Sequence, residues 1–141
     1  MRRPRATLPL LGLLGLVACG GGGGGAEPSP AASGPSGSLG VMTADAGTRT
    51  VAALCELRTA TERDVANGLF FDAAHQSLHV LAAATETVDR VPAAGLLEAK
   101  QIVESDLQAD ALPDAFPEDV GALLEATRTA LETVDLPAPQ C

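Results

Sequence analysis

The sequence predicts an all-α fold, a small up-down four-helix bundle, on two observations. From Thr43 onward the chain is rich in Ala, Leu, Glu and Thr, and its apolar residues recur at helical spacing. No stretch alternates apolar and polar residues with the period of two that marks a half-buried strand. Four helical segments with short connections suit antiparallel neighbours in a bundle.

The first two helices are predicted over about residues 48–64 and 72–90. Ala66-Asn67-Gly68 is the expected stop of the first helix, and Asp72 is the expected N-cap of the second. The inward stripes are Val51, Leu54, Leu57 and Val65 in the first helix, and Phe71, Ala74, Leu78, Leu81, Thr85 and Val88 in the second.

The last two helices are predicted over about residues 92–108 and 117–134. Pro92 and Pro117 suit a first helical position, and Glu118 and Asp119 favour the start of a helix dipole. The stripes are Leu96, Ala99, Val103 and Leu107 in the third helix, and Val120, Leu123, Leu124, Thr127, Leu131 and Val134 in the fourth, which Leu136-Pro137 ends.

The N-terminus has the pattern of a signal peptide. Arg2, Arg3 and Arg5 precede an apolar run over residues 6–17, which small residues follow. The run is shorter than the roughly 20 residues that a bilayer-spanning helix needs. Export from the cytoplasm is therefore predicted.

Leu16-Val17-Ala18-Cys19 resembles the lipobox of bacterial lipoprotein precursors. The resemblance implies a diacylglyceryl group on the Cys19 sulfur, cleavage before Cys19, and anchoring in the membrane on its extracytoplasmic side. It divides the chain into a signal peptide (1–18), a lipidated Cys with a tether (19–40) and an acidic helical domain (41–141). The helical region resembles small lipoproteins only in general outline, so no activity is implied.

After Cys19, the tether begins with six consecutive glycines and consists almost entirely of Gly, Ala, Pro and Ser, with one charged residue, Glu27. Such a composition cannot bury a core, so disorder is predicted for it. As a flexible coil of this length it spans roughly 25 Å.

The charge excludes one class of partner. The whole chain has a net charge of −9, and the part after residue 18 has six basic and eighteen acidic residues, a net charge of −12. Such a surface repels phosphate backbones, and the chain has no Trp or Tyr for base stacking. Nucleic-acid binding is therefore not predicted.

Two cysteines remain after Cys19 takes the lipid, namely Cys55 and Cys141. An even pair in an exported protein predicts a disulfide, which would close a large loop and reinforce a modest core. The alternative is a buried free Cys55 and a frayed terminal Cys141.

The candidate chemistry lies on the second helix. At 100° per residue, Asp72, His75, His79 and Glu86 form a polar ribbon along the flank of the buried face. His75 and His79, at i and i+4, could hold one zinc or copper ion with Asp72 as a third ligand. Alternatively, Asp72 caps the helix and the histidines meet hydrogen-bond partners at the edge of the core.

Two basic residues lie beside apolar stripes, Arg58 on the first helix and Lys100 on the third. The favoured interpretation pairs each with an acid four residues on, Glu62 and Glu104 respectively. Alternatively, they meet Glu86 or Asp72 on another helix.

No motif predicts an enzyme, and no catalytic residue is assigned. The favoured function is a non-enzymatic interaction or accessory module that docks a protein partner through a helix face and needs no cofactor. The alternative is a metal-handling lipoprotein that uses His75 and His79.

Overall fold

The computed structural model describes residues 40–141, and every regular element in that range is a helix. The elements are α1 (Ala44–Leu57), α2 (Arg63–Asn67), a π-helical segment (Gly68–Ala74), α3 (His75–Glu86), α4 (Arg90–Gln108) and α5 (Phe116–Thr133). The π-helical segment joins α2 to α3 without a break, so residues 63–86 form one continuous rod. The prediction of an all-α fold is confirmed.

The export and anchoring features fall outside this part of the chain. The predicted signal peptide (1–18), Cys19 and the tether up to residue 39 are not among the described residues. Between residues 40 and 141, none of the helices has the length and apolar character required to cross a bilayer.

The helices pack as a bundle in which each rod contacts the next. α1 packs on the π-helical segment and on α5, and α4 lies against both α3 and α5. Near the start of α1, Gly47 approaches Leu131 near the end of α5, and a Cβ on Gly47 would lie 2.8 Å from Leu131 Cδ2. Similarly, Arg63 at the start of α2 donates to the carbonyl of Ala109 just beyond α4, at 2.9 Å. Both contacts join the start of one rod to the end of another.

The core is narrow and contains many small residues. Only Phe70 and Phe116 contribute buried aromatic rings, and the other large buried side chains are mainly leucines. Three buried threonines, Thr50, Thr85 and Thr127, donate to backbone carbonyls four residues earlier in their own helices. Because these hydroxyls have partners, they lie in the core without an uncompensated desolvation cost.

The predicted bounds of the first helix are wrong at both ends. α1 begins at Ala44, with the Thr43 side chain accepting from the amide of Ala46, and it ends at Leu57. Beyond α1, the Thr59 hydroxyl donates to the carbonyl of Glu56, a local bond that competes with helix continuation. Val65, predicted inward, lies on α2 and is 55% exposed.

The prediction for the second helix is also wrong in its start, in its end and in part of its stripe, since the helix ends at Glu86 and Arg90 begins α4. Ala66-Asn67-Gly68 do not stop a helix, since all three lie inside the continuous rod. Phe70 is buried where Phe71 was predicted, and Phe71 is 43% exposed.

The π-helical turn explains this difference. The His75 amide donates to the carbonyl of Phe70, five residues earlier, which is the wider closure of a π-helix. The buried residues Ala66, Phe70, Ala74 and Leu78 are spaced by four. In an ideal α-helix that spacing would rotate the buried stripe by about 120° over three steps. The wider turn rotates each residue through a smaller angle and keeps the stripe facing the core.

The second half of the chain follows the prediction closely. α4 starts two residues before the predicted Pro92, because the Asp89 carboxylate caps it by accepting from the Val91 amide at 2.8 Å. α5 starts one residue before Pro117. Its predicted residues from Val120 to Leu131 are buried, but Val134 is only half-buried and Val88, at the end of the second stripe, is 65% exposed.

The predicted disulfide is confirmed, because Cys55 on α1 is bonded to Cys141, with a Cα–Cα distance of 5.6 Å. The segment after α5 turns at Asp135, whose φ of 56° is left-handed, and then runs to Cys141. Arg128, whose side chain is only 11% exposed, holds this segment by donating to the carbonyl of Pro139 and to Cys141 Sγ.

Replacing both cysteines with serine, Cys55→Ser together with Cys141→Ser, is expected to lower the free energy of unfolding. The bond links residues 86 apart, and the chain-entropy model gives about 4–5 kcal/mol for such a loop as an upper figure. Urea unfolding monitored by circular dichroism measures the change.

As a control, reductant should lower the stability of the native chain toward that of the double variant and leave the variant unchanged. Recovery of two alkylatable thiols from the native, air-oxidised protein would contradict the bond.

Candidate functional site

The predicted polar ribbon lies along an open groove between α3 and α4. The groove has a volume of about 450 Å³, and three of the four ribbon residues line it. Its lining residues are His75, Gln76, His79, Ala82, Ala83, Glu86 and Leu97. The structure therefore brings both histidines and Glu86 to one surface.

Asp72 does not belong to this groove. It lies on the π-helical segment, exposed, and its carboxylate lies close to Gly68, one turn back along the rod. It is not an N-cap, because the helix is already continuous through this position. Across residues 40–141, no three or more His, Cys, Asp or Glu side chains are grouped so that they could hold a metal ion.

Beside the groove, Glu104 on α4 contacts the nitrogens of His75 and Lys100 with one oxygen. Its Oε1 lies 2.9 Å from His75 Nε2 and accepts from Lys100 Nζ at 2.7 Å. Lys100 is the least accessible of the three, with a side chain only 6% exposed. Glu104 therefore compensates the charge of a buried lysine and also fixes the ring of His75.

The pKa of Glu104 reflects these contacts. Burial alone would raise it, but the hydrogen bond and charge of Lys100, together with His75, hold the pKa below its ordinary value of 4.5. The carboxylate is therefore ionised throughout the neutral range, and it is not a free general base because Lys100 and His75 already occupy its Oε1.

His79 packs beside His75, with ring centroids 4.7 Å apart and the planes nearly perpendicular. Burial, then the positive charge of Lys100 and then His75, lower the pKa of His79 below 6.5. His79 is therefore neutral at pH 7. A neutral imidazole suits a metal ion, but the ammonium of Lys100 opposes any further positive charge here.

The two predicted intrahelical pairs have different outcomes. Lys100 pairs with Glu104 four residues on, as the favoured interpretation expected. Arg58 lies just beyond the end of α1 and is exposed, while Glu62 directly precedes α2. The two residues do not share a helix, so the premise of that pair is wrong.

A second polar contact between helices was not predicted. Asp106 on α4 has its Oδ2 buried and without a hydrogen-bond partner in the described part of the chain. Burial, and then the charge and hydrogen bonding of Asp119 on α5, raise the pKa of Asp106 above 3.8. Two carboxylates can share a hydrogen bond only when one is protonated, which is the state that the raised pKa favours. No sequence signal links the two residues, because they lie on different helices.

Comparisons with protein-family models, curated proteins and solved structures find no match to this chain. The functional interpretation consequently depends on the residues themselves.

Glu104→Gln and Asp106→Asn are expected to change stability in opposite directions at pH 7. Glu104→Gln leaves the buried ammonium of Lys100 without its counter-charge and should cost about 1–3 kcal/mol. Asp106→Asn replaces a half-buried carboxylate, whose charge Asp119 opposes, with a neutral amide and should stabilise the fold by about 1 kcal/mol. Urea unfolding of both variants and the native chain checks the signs.

The two stability changes have opposite signs at pH 7, and both should shrink as the pH falls. A lowered native pKa gives stability that is present above the ordinary value and is lost as the pH falls, so the cost of Glu104→Gln should shrink below about pH 4.5. A raised native pKa gives stability that is lost as the pH rises, so the gain from Asp106→Asn should vanish in acid. A stabilising Glu104→Gln would contradict the role given to Glu104, and a destabilising Asp106→Asn would contradict the role given to Asp106.

The metal hypothesis stays a prediction with a direct test. If zinc or copper(II) binds, calorimetry should give micromolar or tighter affinity that His75→Ala abolishes and that weakens in acid, where His79 becomes protonated below pH 6.5. Gln76→Ala, one residue along on the same groove, is the matched control. Heat no greater than that from surface carboxylates would eliminate the hypothesis.

Proposed function

We propose that this chain is a lipid-anchored bacterial lipoprotein that presents an acidic helical interaction module outside the cytoplasm. In this proposal, residues 1–18 are removed as a signal peptide and Cys19 receives diacylglycerol. Residues 19–40 then hold the domain away from the membrane. The domain is an up-down four-helix bundle without enzymatic activity, and it acts by binding a protein partner.

The disulfide between Cys55 and Cys141 is the observation that carries the export half of the proposal. Such bonds persist in oxidising compartments and are rare in the cytosol, where thiols are kept reduced. The arginines, the apolar run and the lipobox-like residues independently indicate export. A structural disulfide and an export signal are therefore consistent with one location.

The bundle topology is supported by contacts between rod ends. Gly47 meets Leu131, and Arg63 meets Ala109, each pairing the start of one rod with the end of another. Those pairs join α1 with α5 and α2 with α4, as antiparallel neighbours require. His75 at the start of α3 and Glu104 late in α4 fit the same order.

The charge and the exposed apolar side chains of the domain support the proposal that it binds a protein partner. Residues 40–141 include seventeen acidic and six basic side chains, so the domain attracts cationic surfaces and repels phosphate. Several large apolar side chains are also exposed, among them Val41, Val88 and Val91. An acidic surface with exposed apolar side chains is compatible with protein docking and favours a cationic partner.

The second candidate function is metal handling through His75 and His79. It is favoured by the adjacent rings and by the lowered pKa of His79, which leaves a neutral nitrogen at pH 7. It is disfavoured by Lys100 beside the same groove and by the position of Asp72. The interaction module therefore remains the conclusion.

Cys19→Ala is expected to release the protein from the membrane. Two acyl chains give stable anchoring at about 0.8 kcal/mol per buried methylene, and the variant lacks the sulfur that carries them. Detergent phase partition and intact mass of the extracted protein give the readout. Gly22→Ala, three residues along in the same glycine run, is the control and should remain lipidated and membrane-bound. A Cys19→Ala protein that is still processed normally and still pellets with membranes would exclude the lipobox assignment.

A further inference from the structure

A second groove lies at the end of the bundle where the described chain begins. It has a volume of about 360 Å³ and is open to solvent. Every residue that lines it is apolar or glycine, and Val41 is 88% exposed at its edge. The walls come from the segment before α1, from the middle of α3 and from the residues that follow α5.

The α3 wall is a short apolar surface. Val80, Ala83 and Ala84 lie at i, i+3 and i+4, so they share one side of α3 over about 6 Å, or one helical turn. Ala83 and Ala84 are small and half-buried, which lets another backbone approach closely. Together with the apolar residues before α1 and after α5, this wall can contact about one turn of an amphipathic helix.

The charges around the groove select the partner. Asp135 lies between the two lining residues Val134 and Leu136 and is exposed. Asp45 is exposed three residues beyond Met42, which also lines the groove. No basic residue lines it, and the whole domain is strongly acidic. A cationic partner is therefore attracted, and an acidic one is repelled.

We propose that this groove binds one amphipathic α-helix of a partner protein, with small apolar residues on its buried face and Lys or Arg beside them. The inference rests on the proposed interaction function and names the surface and the partner's chemistry. A bilayer is the less favoured occupant, because Asp45, Asp135 and the acidic field of the domain repel anionic headgroups.

The test uses the mature chain, residues 19–141, with Cys19→Ala, so that its result does not depend on lipidation. A fluorescent amphipathic peptide of Leu, Ala and Lys, about 18 residues long, is titrated and its anisotropy measured. Binding is expected to weaken with salt. A scrambled peptide of the same composition, without an apolar face, and a peptide with Glu in place of Lys should both fail to bind.

Two variants that add the same charge distinguish peptide binding in the groove from general attraction of the peptide to an acidic protein. Ala84→Lys places a long cationic side chain in the groove and should weaken binding about tenfold or more relative to Ala122→Lys, on the exposed face of α5. If Ala84→Lys lowers the thermal midpoint, Val41→Lys at the exposed edge replaces it. Asp135→Asn, which suits the left-handed backbone there, should weaken binding about two- to fivefold, whereas Asp110→Asn should not.

Four results would overturn the proposal. Equal affinities of Ala84→Lys and Ala122→Lys would show unspecific attraction. Sedimentation of a dimer that Ala84→Lys dissociates would assign the groove to a second copy. Binding to vesicles of phosphatidylcholine and phosphatidylglycerol that Ala84→Lys abolishes would assign it to lipid. Peptide binding that appears only after removal of residues 19–36 would assign it to the tether. None of these results bears on whether Cys19 is lipidated.

Discussion

The narrow apolar stripe of each helix is the constraint on which the rest of the fold depends. Alanines and threonines occupy many buried positions, so the helices must approach closely to exclude water. Gly47 permits such an approach, since Leu131 occupies the space that a Cβ would take. A core of this kind stabilises a small domain only modestly, and the covalent bond between α1 and the C-terminus supplements it.

The sequence predicted the second half of the domain better than the first, and the reason is physical. α4 and α5 have an uninterrupted period and clear first-turn residues at Pro92 and Pro117. In the first half, the Thr59 hydroxyl donates to the backbone carbonyl of Glu56, and a π-helical turn shifts the buried position from Phe71 to Phe70. A sequence pattern that assumes 100° per residue predicts neither the end of α1 before Thr59 nor the π-helical turn.

The candidate site was also predicted only in part. The pairing of Lys100 with Glu104 and the placement of both histidines on one surface follow from helical spacing, and both were predicted. The bond from His75 to Glu104 and the approach of Asp106 to the α5 carboxylate join different helices. Such contacts depend on how each rod is rotated about its axis, which the apolar period fixes only to within part of a turn.

The disulfide has a mechanical consequence for a domain held at one end. Tension from the N-terminal side enters the described fold at Gly40, and every residue from Cys55 to Cys141 lies within one covalent ring. Pulling between Gly40 and Cys141 can therefore extend only the chain before Cys55, at most about 50 Å when fully extended. A load applied between these two residues would unfold α1 up to Cys55 and then be carried by the disulfide. The helices on which His75, Lys100 and Glu104 lie are inside the ring.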